Sequence, residues 1–417
     1  MTTAGSAAAG SATARTLRPR RTPSRGSGIR GRETAAGWLF ISPMLVILGL
    51  FLVIPVLMAA WVSVSDWSGR GSPLSSSVGF VGGDNYRELV SGGGLATQDF
   101  GTALRNNVWY VLLVVPLQTA LSLFLAVMVN RKVLRGRGGF RTAFYFPSVT
   151  SSVAITVLFL FLFSASGAVN KTLSALSING PNWFADARGV VHVVLGALGV
   201  DQGPAALTGN GFLGITWWSW LSGPSVAMSV FIVMAVFTTS GTFMLLFIAA
   251  LQAIAGEVDE AALMDGASGW QRFWLVTVPM LRPTLFTVIT LGLIGCWQVF
   301  DQIYTGTQGG PAKTTLTPAY LSYVSSFEQQ QWGRGSAIAF VLFGIIVVMT
   351  ILQRIILRER TTVPRRKRFV LTGPGSAGGP GSSGGSGTPQ PTVAGTAGSD
   401  APAGPTSGSP SQPGGPR

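Results

Sequence analysis

Six long apolar runs, nearly free of charge, constrain this chain more than any other feature. They fall at residues 38–64, 104–129, 142–165, 224–251, 283–304 and 336–357. Each can cross a hydrocarbon core of ~30 Å as a helix, which takes about 20 residues. Lipid offers no partner to an open backbone, so helices are the structure to expect. Charged residues make up only 11% of the chain, where a soluble domain averages about 25%. The sequence therefore predicts an all-α membrane protein with six transmembrane helices.

The net charge of +14 invites a nucleic-acid reading, but its placement argues for membrane topology instead. Seven basic residues lie between Arg15 and Arg32, five between Arg131 and Arg141, and seven between Arg354 and Arg368. With six alternating spans these clusters share one side. The opposite loops hold only Arg70, Arg87, Arg105, Lys171, Arg188, Lys313 and Arg334. Basic residues concentrate on the cytoplasmic side, which places both termini in the cytoplasm. The first run is too long for the apolar part of a signal peptide and has no small-residue cleavage site after it, so it reads as a retained helix.

Three regions follow. Residues 1–36 form an Arg-rich cytoplasmic tail too poor in large apolar residues to bury a core, and are expected to be disordered. Residues 37–360 form the transmembrane domain. Residues 361–417 are basic and then Gly-, Pro- and Ser-rich, a second disordered cytoplasmic tail. Pro43 and Pro55 predict kinks in the first span. The external segment 166–223 carries Trp183-Phe184, Trp217-Trp218-Ser219-Trp220 and an apolar piece, Val190 to Val200, too short to span. That piece either lies on the membrane surface or packs within its loop. Cys296 is the only cysteine, so no intramolecular disulfide or cysteine metal site is available. His192, the only histidine, reads as a solvated loop residue.

The segment 252–283, between the fourth and fifth runs, is unlike the rest. It begins acidic, with Glu257, Asp259 and Glu260, which complements a helix dipole. Ala261, Ala262 and Met264 follow at helical spacing, and Gly266 permits a left-handed turn. Ala267 to Phe273 can start a second short helix, and Pro279 and Pro283 end it and begin the next span. Small residues on one face with charge at the rim suit insertion into a partner's groove. The other reading is a helical hairpin packed on its own bundle.

Glu260-Ala261-Ala262, Asp265-Gly266-Ala267, Phe273, Thr277-Val278-Pro279 and Pro283 resemble, with matching spacing, the EAA loop of bacterial ABC importer permeases. The chain is similar in particular to the carbohydrate-uptake permeases of the maltose MalF type. Agreement extends over residues 38–357: Gly82-Gly83-Asp84-Asn85-Tyr86, Phe140-Arg141-Thr142 with Pro147, Leu251-Gln252-Ala253-Ile254, and Phe300-Asp301, Tyr304, Thr307 and Gly309-Gly310-Pro311. About 40 residues before Trp220 look like an insertion.

The resemblance implies a type I ABC importer permease fold in the bacterial plasma membrane, not an enzyme. It implies no cofactor on this chain, with ATP and magnesium on separate ATP-binding subunits. No Gly-x-x-x-x-Gly-Lys-Ser/Thr phosphate cradle is present in the sequence. Glu260, Ala261, Ala262, Asp265, Gly266, Ala267, Phe273, Pro279 and Pro283 would form the ATPase-coupling loop. The other partners implied are a second related permease in a heterodimer, an extracytoplasmic solute-binding protein, membrane lipid and a sugar substrate, with no nucleic acid. For the sugar path, Trp297, Gln298, Asp301 and Tyr304 are the candidates, with Trp297, Asp301 and Tyr304 on one face of the fifth span. Asp301 reads alternatively as a hydrated cap, and Cys296 and Gln118 as packing or interhelical glue. Other solutes (polyamine, phosphate or peptide) fit the same architecture. An ion-driven secondary transporter would need buried ionisable groups near the midplane, which the runs lack.

Overall fold

The computed structural model describes residues 29–130, 136–200 and 203–356, so most of both expected tails and the basic residues 131–135 lie outside the described part. The described chain is predominantly helical, with four helices long and apolar enough to cross a membrane, or up to six if two bent pairs each count as one span.

Helix α1 (Ile29–Leu48) passes through a π-helical turn at Gly49–Val53 into α2 (Ile54–Ser63). The helix thus starts at Ile29, inside the stretch expected to be disordered through residue 36. Pro55 has no N–H and its ring would crowd the carbonyl four residues back; the widened turn immediately before it removes that conflict. Helix α3 (Asp84–Ser91) is a short element after the first span, and α4 (Leu95–Asn130) begins well before the apolar run at residue 104. The third run is not one straight span. It divides into α5 (Arg137–Val149) and α6 (Ser152–Leu162), bent by 97° at Thr150–Ser151.

The segment 166–223 then carries α7 (Ala168–Ala175), α8 (Val190–Ala197), α9 (Ala205–Thr208), the short hairpin β1 (Gly211–Phe212) and β2 (Ile215–Thr216), and α10 (Trp217–Trp220). Val190 and Val191 donate backbone hydrogen bonds to Pro224 (2.9 Å) and Ser222 (3.1 Å), so the apolar piece is tied into its own loop. His192 is half-buried and stacks on Trp218 at 4.4 Å, rather than standing in solvent.

Helix α11 (Val226–Ala253) is the central span. After it come α12 (Gly256–Met264), α13 (Gly269–Arg272), a π turn (Phe273–Thr277), α14 (Val278–Met280) and α15 (Arg282–Trp297). The fifth run ends early: α15 stops at Trp297, and Asp301–Gly306 forms a separate α16. Then follow α17 (Pro318–Tyr323), a π turn (Val324–Glu328) and α18 (Trp332–Ile356).

In lipid the apolar effect does not drive helix against helix, so close packing and polar bonds must do it. Both are visible. A Cβ at Gly241 of α11 would overlap the Phe144 carbonyl oxygen of α5, and one at Gly292 of α15 would overlap the Gln118 amide nitrogen of α4. Thr239 donates to Gln118 Oε1 (2.6 Å), joining α11 to α4. Gln353 donates to Phe286 O (3.2 Å) and Thr290 Oγ1 (2.8 Å), joining α18 to α15. Outside the bundle, Asn85 latches α3 onto the end of α2 through Ser63 O (2.9 Å) and Ser65 O (3.0 Å), and Tyr86 donates to Ser63 Oγ (2.8 Å). Helix α18 also packs on α2, with Gly333 so close that a Cβ there would meet the Ser65 carbonyl.

Candidate coupling loop and translocation cavity

The loop before α15 is built almost entirely from local chemistry. The end of α12 is a Schellman cap: Ala267 N–H bonds Ala262 O (3.1 Å) and Gly266 N–H bonds Leu263 O (3.0 Å), with Gly266 at φ +76°. Nothing crowds Gly266, so backbone conformation alone requires glycine there. Ser268 then caps α13 in a reciprocal box: Gln271 N–H bonds Ser268 Oγ (3.3 Å) and Ser268 N–H bonds Gln271 Oε1 (2.8 Å). The second helix therefore starts at Gly269, two positions later than its expected beginning at Ala267. The Ser268-x-x-Gln271 signature was present in the sequence and marks that start. Arg272 closes the turn by donating to both carboxylate oxygens of Asp259 at 2.9 Å, an exposed pair worth roughly 0.2–1 kcal/mol.

Every residue of α12 stays at least partly exposed. Glu260, Ala261, Asp265 and Gly266 are exposed, while Ala262, Ala267, Phe273 and Pro279 are half-buried. Around them Leu263, Met264 (89% exposed), Trp270 (72%), Trp274 and Leu275 form an apolar surface, with Trp270, Phe273 and Trp274 in mutual ring contact. Pro279 follows a π turn, as Pro55 does, and exposed Pro283 sits in the first turn of α15, where a missing N–H costs nothing. The loop and α15 meet at 68° over the buried Leu281.

The second feature lies where two spans break. One cavity of about 280 Å³ is lined by Ser148, Thr150 and Ser152 at the α5–α6 bend, with Thr238, Thr239 and Thr242 of α11. An adjoining cavity of about 260 Å³ shares Thr238, Thr239, Phe243 and Gln302 with it and reaches Gln118, Gln298 and Asp301. Irregular backbone at membrane depth is tolerated where it is buried in protein or lines a cavity, and both breaks do so. Thr317 Oγ1 donates to Val299 O (3.0 Å), supplying a partner to a carbonyl freed at the second break.

The break changes the predicted sugar path. Trp297, Asp301 and Tyr304 do not share a face of one continuous helix, because residues 298–300 interrupt it. Trp297 is buried at 3% exposure, and its indole N–H has no partner among the described residues. Gln298 and Asp301 line the cavity; Tyr304 does not, and stacks on Phe300 at 5.5 Å. Gln118 joins two helices as expected and also lines the cavity, as does Cys296. The hydroxyls of Ser148, Thr238 and Thr239 were missed, since Ser and Thr are ordinary in membrane helices and only the fold brings those of α5 and α11 to one cavity. Among the lining residues Asp301 is the one carboxylate and no Lys, Arg or His is present; hydroxyl and amide side chains, with the Cys296 thiol, supply the rest of the polar surface.

An apolar helical bundle with a polar cavity at its broken spans and an exposed helix–turn–helix is the arrangement of a membrane transport subunit. The family of binding-protein-dependent transport system inner membrane components matches residues 118–361, and the chain belongs to it. Its relatives include the lactose transport system permease protein LacF of Rhizobium radiobacter, 32% identical over 78% of this chain and 94% of that protein. The trehalose/maltose transport system permease protein MalF of Thermococcus litoralis is 28% identical over 78% of this chain and 94% of that protein. The fold recurs in the crystal structure of a bacterial ABC transporter involved in the import of the acidic polysaccharide alginate, with TM-score 0.60 and 17% identity over 80% of this chain and 99% of that one.

Proposed function

We propose that this chain is the transmembrane permease subunit of an ATP-driven, binding-protein-dependent sugar importer. The observation that carries the reading is the exposed helix–turn–helix at Gly256–Arg272, self-supporting through its caps, in a chain of this family. Its surface suits the groove of an ATP-binding subunit, with Glu260, Ala261, Ala262, Asp265 and Gly266 as the contact. Phe273, Pro279 and Pro283 relay motion into α15, and through it into the cavity wall. ATP and magnesium belong to the ATPase subunits, and their closure biases a two-state bundle between inward- and outward-facing forms.

The sugar assignment rests on relatives named for lactose and for trehalose/maltose uptake, and on the chemistry of the cavity. Hydroxyl and amide side chains with few charges suit the hydroxyl groups of a neutral sugar. In this reading Gln298 and Asp301 remain contact candidates, joined by Gln118, Thr238 and Thr239. The two bent pairs each count as one span, giving six, with both termini cytoplasmic in a bacterial plasma membrane. Residues 37–360 form the permease domain, flanked by the cytoplasmic tails 1–36 and 361–417. A second permease completes the path, and an extracytoplasmic binding protein delivers the sugar.

The test is uptake of labelled sugar into vesicles holding the whole complex. Uptake is expected to require ATP and the binding protein, and to vanish with Glu260→Lys. Uptake driven by an ion gradient after ATP depletion would refute the reading.

A further inference from the structure

Away from the two adjoining cavities, a third of about 230 Å³ opens between the start of α4, the external segment and the start of α11. It shares no lining residue with them and holds Arg105, Arg188 and His192 but no acidic side chain. Arg105 is half-buried, and among the described residues no carboxylate pairs with it; the ion pairs are Arg188–Asp186, Arg272–Asp259, Lys313–Asp99 and Arg334–Glu88. A half-buried cation without a counter-charge is costly to hold and attracts an anion.

The donors are positioned. Arg105 gives Nε and Nη2 to Asn106 Oδ1 (3.2 and 2.7 Å) and Nη1 to Ser219 O (3.4 Å). Those bonds use three of the five guanidinium N–H groups and leave two. Asn106 is itself pinned through its amide to Lys313 O and Leu316 O, both at 2.9 Å, so the guanidinium has little freedom. Arg188 is already neutralised by Asp186 at 2.7 Å, which leaves about one uncompensated positive charge at the cavity.

The rest of the lining adds hydrogen-bonding groups. His192 Nε2 lies 3.2 Å from Trp218 O, so that nitrogen donates to the carbonyl and Nδ1 is the one left for a ligand. Ser222 and Thr314 spend their hydroxyl protons on Gly223 O (3.2 Å) and Pro311 O (2.7 Å), so their oxygens also face a ligand as acceptors. The volume lies below the ~300–1,000 Å³ of pockets for drug-sized ligands, and suits one ring rather than a chain. One free cation for a carboxylate, with several acceptors for hydroxyl groups, is the complement of a sugar acid.

We propose that this external cavity binds a carboxylate-bearing monosaccharide unit, a uronic acid, with Arg105 taking the carboxylate and His192 Nδ1 a ring hydroxyl. The proposal rests on the sugar-importer reading only in taking the ligand to be a sugar. The test is calorimetric titration of the assembled transporter in nanodiscs, without the binding protein, against D-glucuronate and D-glucose. Saturable glucuronate binding is expected, weakened about ten-fold or more by Arg105→Gln, the loss of a charge-assisted contact. His192→Ala should weaken it several-fold, and 1 M salt should weaken it by screening. Glucose should not bind there.

Equal binding of glucose and glucuronate, or no saturable glucuronate binding, overturns the proposal. So does unchanged glucuronate affinity in His192→Ala and in 1 M salt, which keeps the test decisive if Arg105→Gln does not assemble. Loss of binding-protein docking by Arg105→Gln with no change in glucuronate affinity overturns it in favour of a protein carboxylate. Sugar-stimulated ATP hydrolysis in the same nanodiscs, measured after the binding protein is added, reports separately on the importer reading.

Discussion

The turn at Gly266 is the point where one atom should decide whether the coupling loop keeps its shape. Its φ of +76° lies in the left-handed region, and an added Cβ would meet no neighbour within 4 Å. Gly266→Ala therefore has a purely conformational cost, about 1–2 kcal/mol for an L-residue held there. That changes the population of the intact turn roughly 5- to 30-fold. Asparagine tolerates the region better and should fall between glycine and alanine.

Gly266→Pro is a different perturbation. The ring fixes φ near −65°, and the missing N–H removes the 3.0 Å bond to Leu263 O. It also disfavours the helical conformation of the preceding Asp265, whose φ and ψ are −73° and 1°. The cap cannot form, and α12 and α13 lose their relative angle. The assay is sugar uptake normalised to permease content in the membrane, with ATPase subunit recovery on affinity purification. The expected order is wild type, Asn, Ala, Pro, with Pro abolishing uptake while the protein remains in the membrane. Wild-type uptake by the Pro variant at normal membrane content would refute the reasoning.

Glu260→Lys should abolish uptake with an unchanged melting temperature, because Glu260 is exposed and has no ion pair among the described residues; a lowered melting temperature would point to a folding role instead. Gly292→Ala should displace the Gln118 amide and break its bond to Thr239, costing about 1–3 kcal/mol in thermal unfolding. Gln118→Ala in the same chain should recover most of that loss, and no recovery would refute the contact. The Arg188 hydrogen bonds hold the Asp186 carboxyl below the usual carboxylate range. Its contribution to loop order is therefore full at neutral pH and lost as pH falls through that lowered value. Protection of the Arg188 amide, which bonds Asp186 Oδ1 at 2.9 Å, should decline over that acidic window in hydrogen exchange, and Arg188→Gln should remove the dependence.

The length of the uncharged apolar runs located the helices because membrane spans are long and uniform. The run 224–251 maps onto Val226–Ala253 and 336–357 onto Trp332–Ile356. It did not show the bends at Thr150–Ser151 and residues 298–300, because hydroxyl and amide residues such as Ser148, Thr150, Ser151 and Gln298 also occur within continuous spans. Those breaks depend on tertiary partners such as Thr317, a contact made across the fold. The site divides the same way. The helix–turn–helix was legible in outline because its chemistry is local: Gly266 marked the turn, while the equally local Ser268–Gln271 box was passed over and the second helix placed two residues early. The cavity was not, since Gln118, Ser148, Thr239 and Gln298 come from four separate helical segments or their ends, and only packing unites them.

The seam between α2 and α18 carries a consequence for biogenesis. The helix Thr34–Ser63 is only 6% buried over its most apolar window, and its C-terminal end rests on α18, beside the Trp67–Trp332 contact at 5.4 Å. Arg70 reaches Gln330 at 3.1 Å across 260 positions of sequence. A ribosome releases the two sides of that seam many seconds apart, at roughly 5–20 residues per second. Throughout that interval the early helix has lipid as its neighbour, and a nascent chain arrested before Trp332 leaves Trp67 and the Asn85 latch without their cover. Such truncated chains should therefore be open to protease at the segment 65–82, and completing the last helix should close that access.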